Sequence, residues 1–203
     1  MINITPKYDA VEETRQRLRK HIDSFWPDNT KECLTYSEEP VKDLLPGWRV
    51  IEVAPNEANA PWVYVTLGAW EITKDEIYEK GRYGLEFLIT SPRKDFTNVI
   101  SLAMAAIYHA NPRYRIKLGD TLEIGREWLE KSSCDHFIVS LPYPFSPDLE
   151  TVKINDIYIS FWWLLPITKS EALYAQANGQ EALWDRFESV GLDYLDINRQ
   201  SVV

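Results

Sequence analysis

A single α+β domain, with a mixed and mostly antiparallel sheet flanked by helices, is the fold class predicted by three features of this 203-residue sequence. Helical runs stand near both ends, and short β-type runs bounded by Gly, Pro, Asn and Asp fill much of the stretch between. One run, Asp156 to Leu165, is apolar on both faces and reads as a central strand covered on two sides. No linker, internal repeat or low-complexity tract interrupts the chain, and eight Trp, eleven Tyr and seven Phe offer ample area for one core.

The first element is a helix, with Val11, Leu18, Ile22 and Phe25 on one stripe and Trp26-Pro27-Asp28 as its stop. Short strands follow over Cys33–Tyr36 and Trp48–Val53, separated by a loop holding Pro40, Pro46 and Gly47. Trp62 to Leu67 alternates strongly as a strand, and Gly68 closes it. Tyr83 to Thr90 is a further strand, with Leu85, Phe87 and Ile89 on one face and Glu86, Leu88 and Thr90 on the other. Phe96 to Ala110 is a helix with Asp95 as N-cap, and it is apolar enough to be buried all round. Gly119-Asp120 turns the chain into Thr121–Ile124, and His136–Leu141 is a strand stopped by Pro142-Tyr143-Pro144. After the central strand, Thr168-Lys169-Ser170-Glu171 has capping-box spacing and starts a helix that Gly179 ends. A second helix carries Leu183, Trp184, Phe187 and Val190 on its inner face and stops at Gly191. Leu192 to Ile197 reads as a last extended segment.

Charge excludes several roles. The net charge of −9 opposes phosphate neutralisation and docking on anionic lipid, so neither nucleic acid nor membrane is expected as a partner. A basic protein partner fits the sign, although solubility alone accounts for an acidic surface. The longest apolar run, Ile157 to Ile167, is too short to span a bilayer. No apolar h-region follows Met1, so a cytoplasmic chain with Cys33 and Cys134 reduced is expected, and the triplet Asn3-Ile4-Thr5 stays unglycosylated.

No pattern announces chemistry. His21, His109 and His136 stand apart without metal-ligand spacing; His21 falls on a charged helix face and His109 near a helix C-terminus that its charge would favour. Neither glycine-rich phosphate cradle occurs, and no serine elbow or cysteine-hydrolase motif is present. No metal and no cofactor are expected. A small hydrolase whose catalytic residues meet only in space stays open as an alternative. Glu71, just after a strand end, and Glu86, inside a strand, are noteworthy because a carboxylate in a sheet must be solvated or paired. Trp62, Tyr64 and Trp70 beside them read as core aromatics.

These segments resemble the Suppressor of fused family. The matching pieces are Pro61-Trp62-Val63-Tyr64-Val65-Thr66-Leu67-Gly68-Ala69-Trp70-Glu71, then Tyr83-Gly84-Leu85-Glu86-Phe87, then Gly119-Asp120. Ile157 to Ile167, the helix pair with Asn178-Gly179-Gln180 between, and Asp196-Ile197-Asn198-Arg199 complete the set, in order, across residues 31–199. The resemblance implies a non-enzymatic protein binder. Animal members sequester zinc-finger transcription factors and hold a short peptide as an added strand between two domains. Two acidic residues lining that cleft correspond to Glu71 and Glu86 here, so a protein-binding surface of Trp62, Tyr64, Trp70, Glu71, Glu86, Asp196 and Arg199 is implied.

Two departures shape the expected partner. The chain stops soon after Arg199, without the second domain of the animal proteins, and Glu71 stands where they have the shorter Asp. Short one-domain members are typically bacterial, and many are proposed immunity proteins. The resemblance therefore implies an inhibitor of a toxin domain, with a regulator that sequesters a transcription factor or signalling protein as the alternative.

Overall fold

The computed structural model describes residues 5–36, 38–39, 41–73, 76–78 and 81–203. In chain order the elements begin with α1 (Thr5–Phe25), β1 (Lys31–Leu34), α2 (Val41–Leu44), β2 (Arg49–Val53), β3 (Trp62–Leu67), α3 (Trp70–Thr73) and β4 (Glu76–Tyr78). They continue with β5 (Gly81–Ser91), α4 (Thr97–Ala110), β6 (Thr121–Glu123), β7 (His136–Ser140), a 3-10 turn (Pro147–Leu149), β8 (Thr151–Ile154), β9 (Ile157–Ile167), α5 (Lys169–Asn178) and α6 (Gln180–Val190).

All nine described strands join one sheet in the order β1-β2-β3-β5-β9-β7-β6, with β4 added to β5 and β8 to β9. The long strands β5 and β9 run parallel from Arg82↔Ile157 to Leu88↔Trp163, and every other pairing is antiparallel. Pro166 lies beyond the last β5 partner, so its missing N–H removes no ladder bond on that side. The predicted α+β class with a mixed, mostly antiparallel sheet is what forms.

Alternating side chains send the sheet into two cores. On one face Val63, Val65, Leu88, Ile159, Phe161 and Leu165 pack with Leu18 and Ile22 of α1, Ala172 of α5, and Leu183 and Phe187 of α6. On the other, Tyr64, Phe87, Ile89, Val139 and Leu164 pack with Val41 and Leu45 at α2 and with Val99, Leu102 and Ala106 of α4. Helices cover both faces, as a sheet with two apolar sides requires.

Several expectations change. The alternation of Trp62 to Leu67 does not separate a covered face from an open one: both faces are buried from Val63 onward, because α1 covers one side and α4 the other. Conversely, α4 keeps an exposed strip: Met104 is 41% and Tyr108 45% exposed. Val190 is exposed at 58%, beyond the turn where α6 last meets the sheet. Leu192–Ile197 forms turns, since the carboxylates of Asp193 and Asp196 accept the amides of Leu195 and Asn198 and bend the chain locally. Short pieces went unread: α2, α3, β4 and β8. The β8–β9 hairpin turns at Asn155, whose φ of 55° suits an Asn. The Asn3-Ile4-Thr5 triplet lies largely outside the described residues.

The helix signals hold at α5 and α6 and slip by one residue at α4. That helix starts at Thr97 with Phe96 at its N-cap and no side-chain cap there; Asp95, just ahead, accepts the Thr97 amide on Oδ1. The Thr168–Glu171 capping box closes in both directions, and Gly191 ends α6 with a left-handed φ of 62°.

Candidate functional site

The segment after β3 is built around one buried carboxylate. The β3–β5 ladder ends at Val65↔Leu88, and beyond it the Phe87 amide donates to Thr66 Oγ1 at 2.8 Å. The Thr66 hydroxyl in turn donates to Glu86 Oε2. Gly68, at φ 113°, reverses the chain so that the amides of Gly68, Ala69 and Trp70 point at the Glu86 carboxylate at 2.8, 3.3 and 3.4 Å. Glu86 has no exposed surface, and burial pushes its carboxyl up to about 7 even though Thr66 and the three amides favour the charged form.

Gly84 lets this turn sit on β5. A Cβ at that position would stand 2.8 Å from Trp70 Cβ and 3.2 Å from Trp70 Cα. Glu71, one residue on, points outward with its side chain 19% exposed and binds Arg15 of α1, whose other guanidinium nitrogen reaches Glu12 at 2.9 Å. Gly47, at φ 85°, packs over that guanidinium.

The seven residues expected on a binding surface fall in three separate places. Trp70, Glu71 and Glu86 share the 68–71 turn; only Glu71 of them reaches solvent, because Trp70 is 2% exposed and Glu86 enclosed. Trp62 and Tyr64 lie further back on β3. Trp62 is half-buried with the Lys94 ammonium 5.5 Å from its ring, and the buried Tyr64 hydroxyl accepts the Asp95 amide at 2.9 Å. Asp196 is exposed, whereas Arg199 is buried and forks onto Glu171 at 2.6 and 2.7 Å. Glu171 also accepts the amides of Thr168 and Val202. Burial works to raise the Glu171 carboxyl, but Arg199 and these amides overcome it and hold it below the usual carboxylate range.

Thr66, Gly84, Arg15 and Glu171 escaped sequence reasoning as members of these groups. A Thr and a Glu on neighbouring strands were the available hint for the first; pairing over 28 residues, as between Glu171 and Arg199, leaves no local signal.

The histidines take structural positions. His21 is not on a charged face: its ring packs 5.1 Å from Phe25 and 5.7 Å from Phe161, and burial lowers its pKa. His109 accepts the Ile116 amide on Nδ1, so that nitrogen is unprotonated, and burial lowers its pKa; it gives α4 no C-terminal charge. His136 Nδ1 lies 2.7 Å from Asp135 Oδ1. Among the described residues no group of three or more His, Cys, Asp or Glu is placed to hold a metal, and no helix is long and apolar enough to cross a membrane.

Comparison with known proteins adds three likenesses in fold and one in sequence. A Suppressor of fused homologue from Neisseria gonorrhoeae FA 1090 superposes with a TM-score of 0.81 at 35% identity, over 95% of this chain and 98% of that one. The Sufu–Fu complex structure (TM-score 0.70, 13% identity, 93% of this chain and 92% of that one) shares the fold. Drosophila Suppressor of Fused does too, at a TM-score of 0.67 and 15% identity, over 91% of this chain and 50% of that one. The immunity protein YqcF of Bacillus subtilis (strain 168) is 30% identical over 74 residues, which is 36% of this chain and 38% of YqcF. The model of the Suppressor of fused protein (SUFU) family matches residues 46–200, and the chain belongs to that family.

Proposed function

We propose that this chain is a cytoplasmic, single-domain immunity protein that binds a toxin or effector domain and neutralises it without catalysing a reaction. The observation that carries the reading is the sequence likeness to an immunity protein of Bacillus subtilis, within a family match that spans most of the chain. The net charge of −9 supports a basic target, because opposite fields speed association and a basic nuclease offers such a field. The enclosed state of Glu86 also agrees with a scaffold role for this carboxylate: its oxygens are committed to Thr66 and to the amides of the 68–70 turn.

A second reading is a regulator that sequesters a transcription factor or signalling protein. The fold shared with the Sufu–Fu complex favours it. One experiment separates the two. Toxin domains encoded beside the gene are expressed in a sensitive host with and without this chain. Restored growth together with a one-to-one complex on size exclusion is the expected result. Growth arrest unrelieved by the chain for every neighbouring toxin, with a stoichiometric regulator captured instead, would move the assignment to the second reading.

A further inference from the structure

Away from the 68–71 turn, the surface carries an open groove of 1030 Å³ between α6, the Tyr143-Pro144 turn and the 191–194 segment. Its floor is aromatic. Trp163 meets Tyr194 edge-on at 5.2 Å between ring centroids, and Trp184 meets Tyr143 edge-on at 5.5 Å. Tyr143 is 61% exposed, and Trp184 and Tyr194 are half-buried, so ring surface faces the opening.

The rim is acidic. Glu181, Asp185 and Glu188 line the groove from α6 at i, i+4 and i+7, which places them along one side of the helix. All three are exposed, and among the described residues none forms an ion pair. No Lys, Arg or His lines the groove. Arg186 on the same helix has its guanidinium 5.9 Å from the Tyr174 ring, and Arg199, 5.7 Å from Phe187, is neutralised by Glu171. Between residues 181 and 196 five carboxylates face one cation in the sequence.

Aromatic faces beside uncompensated carboxylates select a cation, since the ring quadrupole and the carboxylate both attract positive charge. A groove this large and open admits a length of chain rather than one small molecule. We infer that it docks an arginine- or lysine-rich segment of the protein partner, an inference that rests on the protein-binding role proposed above. The Arg or Lys stems lie along Tyr143 and Trp184, and their charged heads reach Glu181, Asp185 and Glu188.

A fluorescein-labelled nona-arginine peptide tests this in the intact chain, by anisotropy and by quenching of tryptophan emission, at about 0.1 M salt where long-range charge is largely screened. The wild type is expected to bind saturably. The groove triple Glu181→Lys, Asp185→Lys, Glu188→Lys should weaken binding by roughly tenfold or more. A control triple at exposed positions elsewhere, Asp28→Lys, Glu57→Lys, Glu130→Lys, makes the same change in net charge and should weaken it by less than about threefold. Tyr143→Ala keeps every charge and should cost about threefold through the lost ring face. Equal losses in both triples, unchanged affinity in the groove triple, or no saturable binding by the wild type would each overturn the assignment. The peptide replaces the natural partner, so such a failure removes the groove and leaves the protein-binding role to be judged by the growth assay.

Discussion

Glu86 and Glu171 are each enclosed with no exposed surface, yet the protein treats the two carboxylates in opposite ways. Around Glu86 stand neutral donors, one hydroxyl and three backbone amides. Around Glu171 stand two amides and the full charge of Arg199. Dipoles satisfy the lone pairs of Glu86 but do not repay the loss of water, and its carboxyl rises to about 7. A guanidinium at 2.6 Å reverses that balance, and Glu171 stays ionised below the usual range. Equal burial thus gives a group that titrates near neutrality at the 68–70 turn and a permanent ion pair where β9 runs into α5.

Removing the guanidinium breaks the contrast most severely. Arg199→Met leaves a buried carboxylate without its counter-charge and should destabilise the fold by about 3–5 kcal/mol in urea unfolding near pH 7. The double variant Glu171→Leu, Arg199→Met should recover much of that loss, because the trapped charge goes with its partner. Were the double as unstable as the single, packing and the capping box would explain the loss, and the contrast in charge would not.

The two sites also oppose each other in pH. For Glu86 the folded pKa of about 7 lies above the ordinary 4.5, so between those values the folded state holds the extra proton. Its contribution to stability therefore falls as pH rises from about 4.5 to about 7, by about 3 kcal/mol in total. Glu86→Gln carries no such proton, and its stability relative to wild type should rise by roughly that amount between acidic and alkaline buffers. Glu171 has a depressed pKa, so its contribution is present above the unfolded value and is lost as pH falls through the folded one. A flat difference between wild type and Glu86→Gln across this window would show that water or a movement of the turn reaches Glu86.

How much of this was legible depends on range. Helix ends carried local signals: the Thr168–Glu171 box and Gly191 sit where their spacing put them, and Asp95 lies one residue ahead of the N-cap of α4. The all-round apolar reading of α4 failed because Met104 and Tyr108 are apolar residues on an uncovered face, and composition does not say which faces find a partner. Glu86 was recognisable as an unusual residue within a strand, but three of its donors belong to a turn that Gly68 creates, and backbone amides leave no mark in sequence. The Arg199 partnership spans 28 residues and had no pattern to find.

A smaller effect is expected where the turn rests on β5. Gly84→Ala places a methyl 2.8 Å from Trp70 Cβ, and because backbone and a buried indole must move, a loss of about 1–3 kcal/mol should follow. Amide shifts at residues 68–70 should change more than those around Glu171, since the strain enters through α3. Comparable shifts at both sites would show that the two carboxylates are coupled through β9.

Least is expected from the Arg15–Glu71 pair, which offers the sharpest distinction between holding the fold and meeting a partner. Both side chains are 19% exposed, so water screens their attraction, and a double-mutant cycle of Arg15→Gln and Glu71→Gln should give a coupling of about 1 kcal/mol or less. That coupling should shrink further in salt. Among Trp70, Glu71 and Glu86, only Glu71 combines the turn with solvent access. If the turn meets a partner, Glu71→Gln should reduce affinity by much more than it reduces stability, whereas Glu86→Gln should change the two together by disturbing the amides of residues 68–70. A Glu71 variant with full affinity would confine the 68–71 turn to holding α3 and α1 in place, and would leave contact with a partner to other faces of the molecule.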